Sequence, residues 1–279
     1  MGGKGQLQIE SKLSSVLDKI SSKDLVGAEL QESKLIYNVV GFLPASDYVD
    51  HPLLLSSLGY LLGQKGLNTC VVDLKVFAPN LYHALDAKPC KRGDGLIKVL
   101  KSDKVDFREE IQSTKYDRLY LLSPSPHDLL EEYFDFEFEH LERVIETLKS
   151  MFDIVLLDIP NIPALEFCLG AMKYCHVGFF TVAERIEASS NIVRMLDFAA
   201  SVGISTAKFT SIIAMNTMDI KFDYKIYKEF GLNLVAALPF VKAACADVLE
   251  GRMYIRDNPL VNRYFNKEIR RLADLLASQ

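Results

Sequence analysis

From Leu35 onward the apolar positions of this chain follow two alternating patterns. Seven short, nearly continuous apolar runs, "LIYNVVG", "NTCVVDL", "RLYLLS", "FDIVLLDIP", "HVGFFTV", "KFTSIIAMN" and "LVAALPF", are separated by longer segments with helical spacing. A run that is apolar on successive residues suits a strand buried on both faces, as parallel strands are between two helix layers. Among the helical segments, Leu54, Leu55, Leu58, Leu61 and Leu62 mark the first. Leu141, Val144, Ile145 and Leu148 mark another, and Tyr264, Phe265, Ile269, Leu272 and Leu276 the last. The alternation predicts an α/β fold, a doubly wound and mainly parallel twisted sheet with helices on both faces and ligands at the carboxyl ends of the strands.

The N-terminal stretch stands apart. "LSSVLDKISS" places Leu13, Val16, Leu17 and Ile20 at i, i+3, i+4 and i+7, one apolar stripe among Ser, Asp and Lys. The expected organisation is an arm over residues 1–33 with a short amphipathic helix, then a single domain over 34–279. The stripe either packs on its own domain or is offered to a partner. Its polar face is too poor in Lys and Arg for a membrane-surface helix.

Composition narrows the function classes. A chain of 279 residues, 49% hydrophobic, can bury one large core. The net charge of -5 gives no electrostatic footprint for nucleic acid, so none is expected as a partner. The five cysteines (Cys70, Cys90, Cys168, Cys175, Cys245) are scattered and form no C-x-x-C pair, which points to reduced thiols. No apolar leader opens the chain, and no segment nears the roughly 18 apolar residues of a membrane span, so a cytoplasmic protein without direct membrane insertion is expected. His83, His127, His140 and His176 fall in different segments with no ligand spacing, so no metal centre is expected.

Chemistry gathers at strand ends. Asp73 closes "CVVD", Asp158 closes "DIVLLD" and Asn216 closes "SIIAMN". A carboxylate ending an apolar strand beside a phosphate-binding turn is a magnesium-ligand position, although Asp also caps turns and helices there. The turn after the first strand, "GFLPASDYVDHP", has one glycine and no lysine. Phosphate-binding turns rely on glycines that aim successive N–H groups into one concavity and on a lysine for charge.

From about Lys34 to Leu276 the chain resembles the ParA/MinD group of deviant-Walker ATPases within the SIMIBI class of P-loop NTPases. Among these it is most similar to the atypical TadZ/CpaE-like localisation branch. "VVDLKVFAPNL" has that family's second-strand spacing, with Asn80-Leu81 seven residues after Asp73. "FDIVLLDIPNIP" resembles its Walker B and switch region, and "IIAMNTMD" the strand whose Asn contacts adenine. The resemblance places Ser46 where the family has its dimer-bridging lysine, His51 at the phosphate lysine and Pro52 at the magnesium-binding Thr. Lys75 stands where the family has its catalytic aspartate.

These departures imply a pseudo-ATPase with no catalytic residue and no expected cofactor. Ser46, His51, Asp73, Lys75, Asp158 and Asn216 are its vestigial cofactor-site candidates. The turn instead suits a helix start, with Asp50 as N-cap and Pro52 in the first turn. The expected function is a catalytically inactive scaffold or localisation protein, a homodimer that positions a partner complex, such as a pilus or secretion machine at a membrane or cell pole. Its expected partner-binding residues are Leu13, Val16, Leu17 and Ile20. The competing reading is a working switch that binds and hydrolyses ATP with magnesium through rebuilt phosphate chemistry, His51 and Lys75 holding the anion. "EEYFDFEFEH" reads as a loop leading into a solvated helix face, with an acidic and aromatic docking surface as the alternative.

Overall fold

The computed structural model describes residues 37–46, 49, 51–134, 136–161 and 165–278. The stripe of Leu13, Val16, Leu17 and Ile20 lies outside the described residues, as do Asp47, Tyr48 and Asp50 of the first turn. The described chain opens with β1 (Val39–Pro44), α1 (His51–Gln64) and β2 (Thr69–Asp73). Three short helices, α2 (Leu81–Ala84), α3 (Leu96–Lys101) and α4 (Phe107–Glu110), lead to β3 (Gln112–Ser113) and β4 (Leu119–Leu122). A 3-10 turn (Leu130–Tyr133) precedes α5 (Phe138–Met151), β5 (Ile154–Asp158), α6 (Leu165–Tyr174), β6 (Val177–Val182) and α7 (Glu187–Ser201). β7 (Ser211–Met215) is followed by a second 3-10 stretch (Tyr224–Phe230), β8 (Asn233–Leu238), α8 (Lys242–Leu249), α9 (Tyr254–Asp257) and α10 (Arg263–Ala277).

The strands form one sheet in the order β3-β4-β2-β5-β1-β6-β7-β8. Its pairings are parallel except that of β3 with β4. The seven apolar runs each supply a strand. β3 was not foreseen because two polar residues on an antiparallel edge leave no apolar run to read.

Period-two alternation explains how continuous apolar strands serve two layers. Val39 and Leu43 of β1 join Val155 and Leu157 of β5 in a core with residues of α5, α6 and α7. Val40 and Phe42 join Ile154 and Leu156 in the opposite core, with α1 and α10. All five marker leucines of α1 are buried there, each contributing about 2 kcal/mol. The last helix departs from its predicted stripe: Phe265, Ile269, Leu272 and Leu276 are buried, but Tyr264 is exposed. The stripe is narrower than the pattern suggested, and Tyr264 stands beside it facing an open groove.

Candidate functional site

Asp73 and Asp158 end neighbouring strands and stand opposite each other in register across β2 and β5. Both are fully buried, yet they serve different loops. Asp73 Oδ1 accepts from the Lys75 N–H at 3.0 Å, and Oδ2 accepts from the Asn80 and Leu81 N–H groups at 3.0 and 3.2 Å. The seven-residue spacing from Asp73 to Asn80 therefore has a structural use: it returns the start of α2 to the carboxylate.

Asp158 instead holds side chains. Its Oδ1 lies 2.6 Å from Nδ1 of His51 and 3.0 Å from Nζ of Lys75. Nε2 of His51 lies 2.5 Å from Oγ1 of Thr181. His51 comes from the first residue of α1, Asp158 from the end of β5 and Thr181 from β6, and all three are fully buried. A carboxylate only accepts, so Nδ1 carries the hydrogen, and in the neutral ring Nε2 accepts from the threonine hydroxyl. Asp158 Oδ2 is buried with no hydrogen-bond partner among the described residues.

The electrostatics split the two carboxylates. Burial raises Asp73, the charge of Asp158 raises it further, and Lys75 and the loop N–H groups only partly offset them, leaving it at about 7. Burial also acts to raise Asp158, but Lys75 and His51 beside it hold its carboxyl below the usual range. The two adjacent carboxylates are thus held apart in acidity, Asp158 by the Lys75 ammonium and His51, Asp73 by burial.

The remaining candidates do not join this cluster. Asn216 follows β7 at the same carboxyl end of the sheet, but β1 and β6 stand between β7 and β5. Its Nδ2 donates to the Ile220 carbonyl at 3.3 Å, and its Oδ1 accepts from the Tyr224 hydroxyl at 2.8 Å. Beside it a cleft of about 130 Å³ is lined by Leu53, Met215, Pro239, Phe240 and Phe265. Ser46 is buried, and its hydroxyl has no partner among the described residues. Pro52 sits in the first turn of α1, where its fixed φ is tolerated.

The sequence offers His51 as a vestigial site residue, or in the competing reading as an anion-holding one, and gives no pointer to Thr181 as its partner. The only trace of Thr181 is a single hydroxyl in the apolar run "HVGFFTV". Nor does the sequence point to Glu184, whose carboxylate accepts from the Thr217 and Met218 N–H groups at 2.9 to 3.0 Å and ties the loop after β6 to the one after β7. The other histidines have local roles: His83 Nε2 lies 2.6 Å from the Leu249 carbonyl, and His176 Nδ1 accepts from the Val39 N–H at 3.3 Å. Among the described residues no helix is long and apolar enough to cross a membrane.

No protein-family model matches the chain, and the comparison with curated proteins finds no match. Solved structures do match. The septum site-determining protein MinD complexed with Mg-ADP from Pyrococcus horikoshii OT3 superposes with a TM-score of 0.71 at 17% identity, covering 85% of this chain and 94% of its own. A ParA family ATPase from Chlorobium tepidum TLS also gives 0.71 at 17% identity, covering 85% of this chain and 98% of its own. The MinC:MinD cell division protein complex of Aquifex aeolicus gives 0.67 at 15% identity, covering 87% and 96%. At these identities the likeness is one of fold: the chain has the MinD/ParA fold. The expectation that no cofactor is needed is corrected by the first of these structures, in which a protein of this fold is complexed with Mg-ADP. That expectation rests on the departures from the family pattern at Ser46, His51, Pro52 and Lys75 and on the missing glycines. On the strand-end face Asp158 keeps an unpartnered buried oxygen beside the Lys75 ammonium.

Proposed function

We propose that this chain is a positioning protein of ParA/MinD type that takes a nucleotide with magnesium on the carboxyl-end face of its sheet, does not hydrolyse it, and works through contacts with protein partners. The observation that carries the reading is the buried bridge from Asp158 through His51 to Thr181. A group that activates water must reach it, and this imidazole is fully buried with its two ring nitrogens against Asp158 and Thr181. Asp158 is likewise committed to His51 and Lys75 through one oxygen.

The residues fit a bound nucleotide in part. Asp158 Oδ2 is the acceptor open to a magnesium ion, Lys75 supplies positive charge for phosphate oxygens, and the cleft of Leu53, Pro239, Phe240 and Phe265 suits an apolar base. Magnesium, when bound, spreads phosphate charge. Binding without turnover leaves the partner contact as the output, in keeping with the TadZ/CpaE-like resemblance and with recruitment to a membrane-associated or polar machine.

Calorimetric titration with Mg-ADP and Mg-ATP, followed by a phosphate-release assay, tests both halves. Binding with no release is the expected result. Magnesium-dependent release would replace this reading with that of a working switch, and no heat with either nucleotide would remove the ligand.

A further inference from the structure

Among the described strands β8 is an edge, paired with β7 on one side only. The second 3-10 stretch packs into one core through Tyr224 and Tyr227, and α10 packs into the other through Phe265 and Ile269, so the two elements flank β8 from opposite faces. Between them the edge is left open as a groove of about 590 Å³, floored by Ala237 and Pro239 and walled by Ile220, Phe222, Tyr224 and Tyr264.

Apolar side chains are held in water here by the fold. Tyr264 is 56% exposed, and Leu260, in the loop that leads into α10, is 79% exposed; Met218, Ile220 and Val261 are exposed as well. That loop is fixed in shape: Nδ2 of the buried Asn266 lies 2.8 to 3.0 Å from the carbonyl oxygens of Asn258, Pro259 and Val261. A gathering of large apolar residues on a braced surface marks a docking site.

The charge around the groove names what it would take. Lys221 and Lys225 stand on one wall, and Arg263 and Lys267 flank Tyr264 on the other. All four are exposed, and none has an ion-pair partner among the described residues. The carboxylates beside them are Asp219 and Asp223, and Asp223 Oδ1 already accepts from the Lys225 N–H at 3.0 Å, while Glu268 pairs with Arg271. The groove is therefore positive in a chain whose net charge is -5. An apolar trough between two rows of cations is complementary to an apolar stripe between two rows of carboxylates. Arg263 and Lys267 lie one helical turn apart, about 6 Å, which is the spacing of carboxylates on a facing helix. A lipid surface is a plane and does not enter a recess, and a nucleic acid would use the cations but leave Ile220 and Leu260 in water.

We infer that the groove between the second 3-10 stretch and α10 docks an amphipathic helix of another protein, apolar along one stripe and acidic on both flanks. This names the chemistry of the partner contact in the proposed function and rests on that half of it. Its test is run without nucleotide, so its failure leaves the Mg-ADP titration standing, and failure of that titration leaves this surface intact. The probe is a fluorescein-labelled synthetic helical peptide with leucines along one stripe and glutamates on both flanks, titrated with the full chain and read by anisotropy. Saturable binding that weakens with salt is the expected result. Lys221→Glu with Lys225→Glu should weaken it about tenfold or more and should bind instead the same peptide with lysine flanks. Tyr264→Ser should weaken binding while leaving its salt dependence unchanged, and Ile220→Ser repeats that arm if Tyr264→Ser loses its native near-ultraviolet dichroism. No binding by the wild type, equal binding of a peptide whose leucines are serines, or binding that survives the lysine and tyrosine variants would overturn the inference. Binding of phosphatidylserine vesicles or single-stranded DNA that the lysine variant loses, with the peptide unbound, would replace it with a membrane or nucleic-acid surface.

Discussion

Replacing His51 by Ala should cost about 3–5 kcal/mol, because it removes a buried partner from Asp158 and leaves Thr181 facing a cavity. Urea denaturation reads this directly, and a loss below about 1 kcal/mol would show that the bridge does not hold the fold together. Lys75→Met should be milder, since Lys75 is partly exposed and His51 remains, but it should raise the Asp158 carboxyl toward the ordinary carboxylate range. Asp73 takes its hydrogen bonds from the backbone of its own loop. An amide in its place can accept only through its oxygen, so Asp73→Asn should lose at least one of the three N–H bonds from the loop, about 1–3 kcal/mol by denaturation. At this scale the residue types at the strand ends were legible in sequence, while their partners were not. Spacing places Asp73 and Asp158 on one end of a sheet, but which atoms satisfy a buried carboxylate is decided by tertiary neighbours such as His51 and Thr181.

Elements were read more fully than residues, for a physical reason. A strand buried on both faces is apolar on successive residues through its middle, so β1, β2, β5 and β7 announce themselves locally. The two-residue β3 carries no such constraint, and Tyr264 looked like a core residue because helical periodicity fixes which side a residue lies on only to within about a quarter turn. Packing between elements left subtler marks. Gly178 of β6 sits where an added Cβ would enter the ring of Phe209. Gly178→Ala should therefore push Phe209 off its place against Phe180, whose ring centroid is 5.3 Å away, and destabilise by about 1–3 kcal/mol. A paired Phe209→Leu change should recover part of that loss, and additivity of the two changes in thermal melts would show that the contact is not the cause.

For the whole molecule, the two adjacent carboxylates make stability depend on pH in opposite senses. Asp158 is held below its unfolded value, so its contribution is complete above about pH 4 and is lost as pH falls through the folded value. Asp73 is raised to about 7. Its contribution is complete below about pH 4, and it is lost as pH rises through 7, because the folded state then must hold a second buried negative charge beside Asp158. From this pair the chain should be most stable near pH 4 to 5, with stability declining toward neutrality. Urea midpoints measured from pH 3 to 8 should show that decline in the wild type and a flatter course in Asp73→Asn, although the variant starts from a lower maximum. Equal slopes in the two proteins between pH 4 and 7 would mean that Asp73 stays ionised there, its three N–H donors and Lys75 outweighing burial. A bound magnesium ion at Asp158 would reduce the repulsion that raises Asp73, so the same titration repeated with Mg-ADP should show a smaller decline toward neutral pH. That last comparison links the ligand to the carboxylate pair through stability alone, without any assay of turnover.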